Sequence, residues 1–336
     1  MSTVVKGVKI VVIGGGTGSF VLLDSLKNYV QDLAALVNMA DDGGSTGVLR
    51  DELGVLPPGD VRQCLVALSK SSLTMRNLFN YRFPTGSFAE GHSFGNLFLT
   101  AVEKMTDNFA EAVDLASQVL NITGQVIPIT NEKVKLVMKL GDGRVVKGQS
   151  AVDETDFKGS VKPSMSLEPH AEINPAARKA ILEAGMVVFA PGDLYGSLAP
   201  ALVVKGVAEA VKESRAKKVY VSNLVTQAGQ TDGFMVHDFA DEIERFLGVG
   251  DVLDYVLYNT QKPSPERLHA YLREGESAVG SDKVAFGEAR YKPVGAKLVS
   301  SATPHQNPSD KLRRSFIRHN GDRTARQLLR IYLNDD

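Results

Sequence analysis

The sequence predicts an α/β protein built on an open, mainly parallel sheet, and three observations predict it. The apolar run Val8–Ile13 breaks into Gly14-Gly15-Gly16-Thr17-Gly18 and then into a helical pattern carrying Val21, Leu22, Leu23 and Leu26. A second apolar run, Leu33–Ala40, ends in another glycine loop, Asp41-Asp42-Gly43-Gly44-Ser45-Thr46-Gly47. The second half of the chain repeats the strand, loop and helix rhythm at Met186–Ala190, Lys218–Ser222 and Leu253–Tyr258. Short continuous apolar runs between helical segments are the mark of strands buried on both faces of a parallel sheet.

The first element already implies a site. A strand that empties into a glycine loop at a helix N-terminus binds anions, because the glycines let backbone N–H groups approach a phosphate and the helix dipole favours its charge. This loop is not a Walker A motif, since no Lys-Ser/Thr follows. It also departs from the dinucleotide fingerprint, because Ser19 stands where the third glycine belongs. Either glycine loop alone can also be read as a tight turn. Two of them at adjacent strand ends point to one crevice for a phosphorylated ligand. In a dinucleotide fold one acid at the end of the second strand holds a ribose hydroxyl. Here Asp41 and Asp42 are doubled, a pattern that suits Mg²⁺ beside a diphosphate, a ribose contact, or acids capping a turn.

Composition sets the bounds. A chain of 336 residues holds one large α/β domain or two smaller ones. The net charge of −1 gives no broad basic surface for nucleic acid or an anionic membrane. The lone Cys64 excludes an intrachain disulfide and a thiolate metal cluster and fits a reducing compartment. Residues 1–7 lack the regions of a signal peptide, and no apolar run reaches membrane-spanning length. A soluble cytoplasmic protein is expected, with self-association left open.

After the opening loops, Pro57 and Pro58 fix a turn, Asp60 reads as an N-cap, and Val61, Leu65 and Leu68 continue at helical spacing. Arg62, one turn inside, is placed to pair with Asp60 or to reach a phosphate; Cys64 falls in the core. The stretch Gly91-His92-Ser93-Phe94-Gly95-Asn96 opens the next helix and gathers donors around His92 and Asn96, and a further helix spans Asn108–Leu120. Residues 125–172 break the rhythm. Val134–Leu140 and Val145–Gly148 flank the turn Gly141-Asp142-Gly143-Arg144, an inserted β-hairpin with irregular flanks and no evident chemistry. Asn174-Pro175 starts a helix that Gly185 closes.

In the second half, the loop after Met186–Ala190 offers Gly192 and Asp193. The loop after Lys218–Ser222 offers Asn223, Thr226, Gln227, Thr231 and Asp232, amides and hydroxyls able to read a base, sugar or phosphate. Ligands bind at such carboxyl-end loops in open α/β sheets. Residues 302–310 have linker character. The run Phe316-Ile317 then leads to Arg318, His319 and Asn320 and a helix to Leu333, placing Arg318 at a strand end as a cationic partner for phosphate.

The motifs GGGTG, ADDGGSTG, LPPGDVRQCLVAL, GHSFGNLFL, PGDLYGSL, NLVTQAGQTDG and IRHN occur in this order. Together they resemble the gluconeogenesis-factor (YvcK-like) family, within the superfamily of 2-phospho-L-lactate transferase (CofD-like) proteins, over nearly the whole chain. The resemblance implies a Rossmann-like three-layer αβα sandwich over residues 1–336. It also implies a cytoplasmic role in cell shape and growth on gluconeogenic carbon, and binding of nucleotide sugars such as UDP-N-acetylglucosamine. For the transferase branch it implies Mg²⁺ and a guanylated donor. This chain departs from the family pattern at Asp193 and Thr46, where serine is usual, and the first change adds a negative charge near the expected diphosphate. Three functions follow. One is a nucleotide-sugar-binding regulator acting through a protein partner in envelope synthesis. The second is a Mg²⁺-dependent transferase. The third, a nicotinamide-dependent oxidoreductase, is disfavoured by Ser19 and the doubled acid.

Overall fold

Strand β1 (Lys9–Ile13) is buried at every residue but its first, as its unbroken apolar sequence requires. The computed structural model describes residues 5, 7–106, 108–159, 161–248, 250–302 and 317–334. Around β1 lie β2 (Asp32–Val37), β3 (Gln125–Pro128), β7 (Met186–Phe189), β8 (Lys217–Val221), β9 (Tyr255–Asn259) and β10 (Lys292–Ala296). Their order is β10-β9-β8-β7-β1-β2-β3, and every neighbouring pair is parallel. Every residue of β7 is buried, so both faces of the sheet are covered there. The fold is the expected α/β, Rossmann-like one.

The order of the strands locates the site. From β1 the chain winds outward through β2 and β3, then returns to lay β7 on the opposite side of β1. The carboxyl ends of β1 and β7 therefore flank a topological switch point, where loops diverge and leave a crevice. Ile13 and Phe189 are partners in register, so the loops that follow leave the sheet side by side.

Several elements differ from the sequence reading. Gln125–Pro128 is not the start of the insert but the edge strand of the main sheet, paired with β2. The insert proper holds three antiparallel strands rather than a lone hairpin: β4 (Lys135–Lys139), β5 (Val145–Lys147) and β6 (Ser164–Glu168), ordered β5-β4-β6. The turn between β4 and β5 falls at Gly141–Arg144 as the glycines predict. Helix α1 (Gly16–Leu26) is followed by an unanticipated α2 (Gly44–Leu53), which rises directly from the second glycine loop. Next come α3 (Pro58–Leu68), a second unanticipated helix α4 (Leu73–Asn80), α5 (Phe94–Met105), α6 (Phe109–Leu120) and, within the insert, α7 (Gln149–Asp153).

Asp60 is not the N-cap of α3. The helix starts at Pro58, with Pro57 in the cap position, because proline loses no hydrogen bond in a first turn. Asp60 thus falls inside the first turn and turns its carboxylate to another element. Cys64 is buried in the core, and burial pushes its thiol far up. The last helix, Gly321–Leu333, packs on α1, and Lys217 Nζ ties its end by donating to the carbonyls of Ile331, Tyr332 and Asn334 at 3.0–3.1 Å. Among the described residues no helix is long and apolar enough to cross a membrane. Of the expected linker only Ala302 lies among the described residues; positions 303–310 and Phe316 lie outside them.

Candidate functional site

A cavity of about 470 Å³ opens at the switch point. Gly15, Gly16, Thr17 and Gly18 supply one wall from the end of β1, and Gly192 and Asp193 supply the next from the end of β7. Asn223, Thr226 and Gln227 follow from β8, and Arg318 and His319 arrive from the segment before the last helix. Eleven residues singled out in the sequence thus line one cavity.

The walls are held by short contacts. A Cβ on Gly18 would stand 1.8 Å from the carbonyl oxygen of Pro191, so only glycine lets these two loops touch. Gly16 has φ of +67°, and the space its Cβ would fill is open. Its amide donates to Asp60 Oδ1 at 3.0 Å, which fixes the loop to α3. Asn223 Nδ2 donates to the Gly192 carbonyl at 2.7 Å, and Thr231 Oγ1 accepts the Gln227 amide at 2.8 Å. Thr231 and Asp232 therefore shape the third wall from outside the cavity, with Asp232 paired to Lys158 at 3.0 Å.

At the fourth wall, His319 Nε2 lies 3.1 Å from the carbonyl oxygen of Ser222. A carbonyl only accepts, so Nε2 carries the hydrogen and Nδ1 is left as an acceptor. Burial pushes the imidazole down to about 4, against the smaller effect of the Ser222 bond, and it is neutral at physiological pH. The Arg318 carbonyl accepts the Ser300 amide at 2.8 Å, and Val299 and His319 form an antiparallel bridge. Arg318 therefore lies beside an isolated bridge rather than at the end of a strand as expected, shortly before the last helix.

The second glycine loop does not line this cavity. Asp42 Oδ2 accepts the amide of Gln149 at 3.1 Å and Oδ1 that of Ser150 at 2.8 Å, so its carboxylate holds the N-terminus of α7. Asp41 Oδ1 accepts the amide of Gly43 at 3.0 Å within its own turn, and burial pushes its carboxyl up. Both oxygens of Asp42 thus serve α7 and Asp41 caps its own turn, structural tasks that account for the doubled acid without a cation. Among the described residues no group of three His, Cys, Asp or Glu is placed to hold a metal.

Ser45, Arg62, His92 and Asn96 form a second polar group, while Asp60, also on α3, holds the first loop. Ser45 Oγ meets His92 Nδ1 at 2.9 Å and accepts from Asn96 Nδ2 at 3.1 Å. Arg62 donates to Asn96 Oδ1 at 2.9 Å and to Asn80 Oδ1 at 2.6 Å. Together they join α2, α3, α4 and α5 and stand outside the cavity, as do Gly14, Gly43 and Gly44.

Gln149, Asp153, Tyr271 and Glu276 line the cavity although nothing in the sequence singled them out. Gln149 and Asp153 bring the insert, in which the sequence shows no evident chemistry, to the cavity wall. Their one signal is the pair Asp41-Asp42, whose second acid needs a partner and finds it on α7.

The geometry is that of an open α/β protein with its cavity at the switch point. The chain belongs to the family described as 2-phospho-L-lactate transferase CofD, whose model matches residues 10–300. It is 39% identical over 274 residues to the gluconeogenesis factor of Bacillus subtilis, covering 82% of this chain and 86% of that one. To the gluconeogenesis factor of Halalkalibacterium halodurans it is 36% identical over 324 residues, 96% of each chain. A crystal structure of a Bacillus halodurans protein superposes with a TM-score of 0.87 at 35% identity, covering 96% of this chain and all of that one.

Proposed function

We propose that this protein is a cytoplasmic regulator that binds a nucleotide diphosphate sugar, with UDP-N-acetylglucosamine as the representative ligand. The observation that carries the reading is the convergence of the Gly15–Gly18 loop, the amide-rich loop from β8 and Arg318 on one switch-point cavity. The Gly16 amide is taken by Asp60, so the later first-turn amides of α1 and the Arg318 guanidinium are the groups that suit phosphate oxygens. Asn223, Thr226 and Gln227 suit the many polar edges of a base and sugars. Relatives named gluconeogenesis factor support a part in growth on gluconeogenic carbon, and the proposal extends this to cell shape through a protein partner in envelope synthesis, as the family resemblance implies. The transferase reading loses support from the placement of Asp41 and Asp42.

Native mass spectrometry of the purified protein, followed by calorimetry with UDP-N-acetylglucosamine, tests the proposal. A co-purifying UDP-sugar and saturable binding are expected. A guanylated species retained in its place would turn the assignment to the transferase, and a nicotinamide to the oxidoreductase.

A further inference from the structure

The wall built by α7 and the loop after β7 carries two acids that share one position. A Cβ on Gly196 would stand 2.0 Å from Asp153 Oδ1 and 3.1 Å from Asp193 Oδ2, so both oxygens crowd the same spot beside the cavity. The other oxygen of each acid is already engaged. Asp193 Oδ1 accepts the amides of Tyr195 at 3.0 Å and Gly196 at 2.8 Å, and Asp153 Oδ2 accepts the side-chain amide of Gln149. Asp153 Oδ1 is buried and finds no donor in the structure. Two ionised carboxylates so placed would repel, and one proton between them removes the conflict. Burial, then the charge and hydrogen bond of Asp193, then the charges of Asp41 and Asp42, push Asp153 up to about 9. With the proton on Asp153, its Oδ1 gains the partner it otherwise lacks, while Asp193 Oδ1 stays with its two amides.

We propose that Asp193, backed by Asp153, sets the ligand specificity of the cavity by accepting hydroxyls of a glycosyl group and excluding a third phosphate. This rests on the nucleotide-sugar reading and narrows it to esterified diphosphates over triphosphates. The amides that open the turn at Leu194–Leu198 are taken by the protein's own carboxylate and give a phosphate no grip. Among the described residues lining the cavity, Arg318 is the one cation, set against Asp153, Asp193 and Glu276. A guanidinium matches one bidentate anionic group. A terminal phosphate beyond it would meet Asp193, whereas sugar hydroxyls would donate to that carboxylate.

Calorimetry at pH 7.5 with UDP-N-acetylglucosamine and with UTP, both with EDTA, tests this in the wild type, Asp193→Ser and Asp193→Asn. Both substitutions keep an oxygen at the cap position, and a thermal melt verifies the fold. The wild type is expected to prefer the sugar nucleotide at least tenfold, and each variant to shrink that preference below threefold, mainly by gaining UTP affinity. An undiminished preference in both folded variants, or no preference in the wild type, would overturn the inference while leaving the nucleotide-sugar reading standing. A wild type that binds neither nucleotide would overturn both.

Discussion

Asp60 accepts the amide of Gly16 across 44 residues of chain, at 3.0 Å, and so fastens the first glycine loop to α3. The loop needs the anchor because a left-handed glycine with open space beside it has little else to hold its shape. The same carboxylate forbids a side chain at Gly15, where a Cβ would lie 2.0 Å from Asp60 Oδ2.

Asp60→Ala should cost about 1–3 kcal/mol of stability, the usual penalty for leaving an amide without its acceptor. Asp60→Asn keeps an acceptor oxygen and should recover part of the loss. Urea titrations of the three proteins measure both effects, and an unchanged midpoint in Asp60→Ala would show that the loop holds itself.

Gly16→Val places a branched Cβ in the open space of the cavity and at a φ of +67° that L-residues avoid. The local strain, about 1–3 kcal/mol, is small enough for the fold to survive, while nucleotide binding should fall below detection. Calorimetry on a variant with normal circular dichroism is decisive, and wild-type affinity there would remove the first loop from the ligand site.

How much of this was legible follows from where each residue gets its role. Strands β1 and β7 are nearly unbroken apolar runs, β8 and β9 have apolar centres, and the loops after β1, β7 and β8 are rich in glycine or amides, so both fold and walls could be read directly. Strand β6 has the sequence Ser-Met-Ser-Leu-Glu with one buried residue, and β10 carries a proline at the sheet edge, so neither has a periodic signal. Asp153 sits in a stretch that reads as an irregular flank of the inserted hairpin. It enters the cavity only because Asp42 fixes α7 from 107 residues away, a tertiary constraint with no local signature. Asp60 misled for the same reason, since its partner belongs to another element.

Asp42 gives a prediction opposite to the one its motif suggests. If it holds α7 rather than a cation, EDTA should leave the affinity for UDP-N-acetylglucosamine unchanged. Asp42→Ala should then weaken binding with and without EDTA alike, by loosening the helix that carries Gln149 and Asp153. A loss of affinity on chelation in the wild type, absent in the variant, would restore the metal site.

Arg318 should supply the cationic grip on the diphosphate. It lines the same cavity as the Gly15–Gly18 loop and Asn223. Arg318→Ala should cost about 2 kcal/mol or more in binding if the charge is desolvated against phosphate. Arg318→Lys should regain only part, because an ammonium cannot make the bidentate contact. Equal affinities for all three proteins would return Arg318 to a surface role.

His319 should face the ligand as a neutral acceptor throughout the physiological range. Burial has pushed it down to about 4, and the Ser222 carbonyl selects the Nε2–H form. The unfolded chain takes up a proton near the ordinary value of 6.5, and the folded one does not until about 4. Folding stability is therefore full above the unfolded value and declines as pH falls from about 6.5 toward 4. His319→Gln, which cannot charge, should lose this part of the acid sensitivity, seen as a smaller drop in urea midpoint between pH 7.5 and pH 5. Long-range ¹⁵N–¹H spectra of histidine-labelled protein give the direct test: the His319 ring should keep the Nε2–H pattern from pH 8 down to pH 5.5. An imidazolium signal from this residue at pH 6 would mean that the cavity offers a second cation, and the acceptor role assigned to Nδ1 would fall with it.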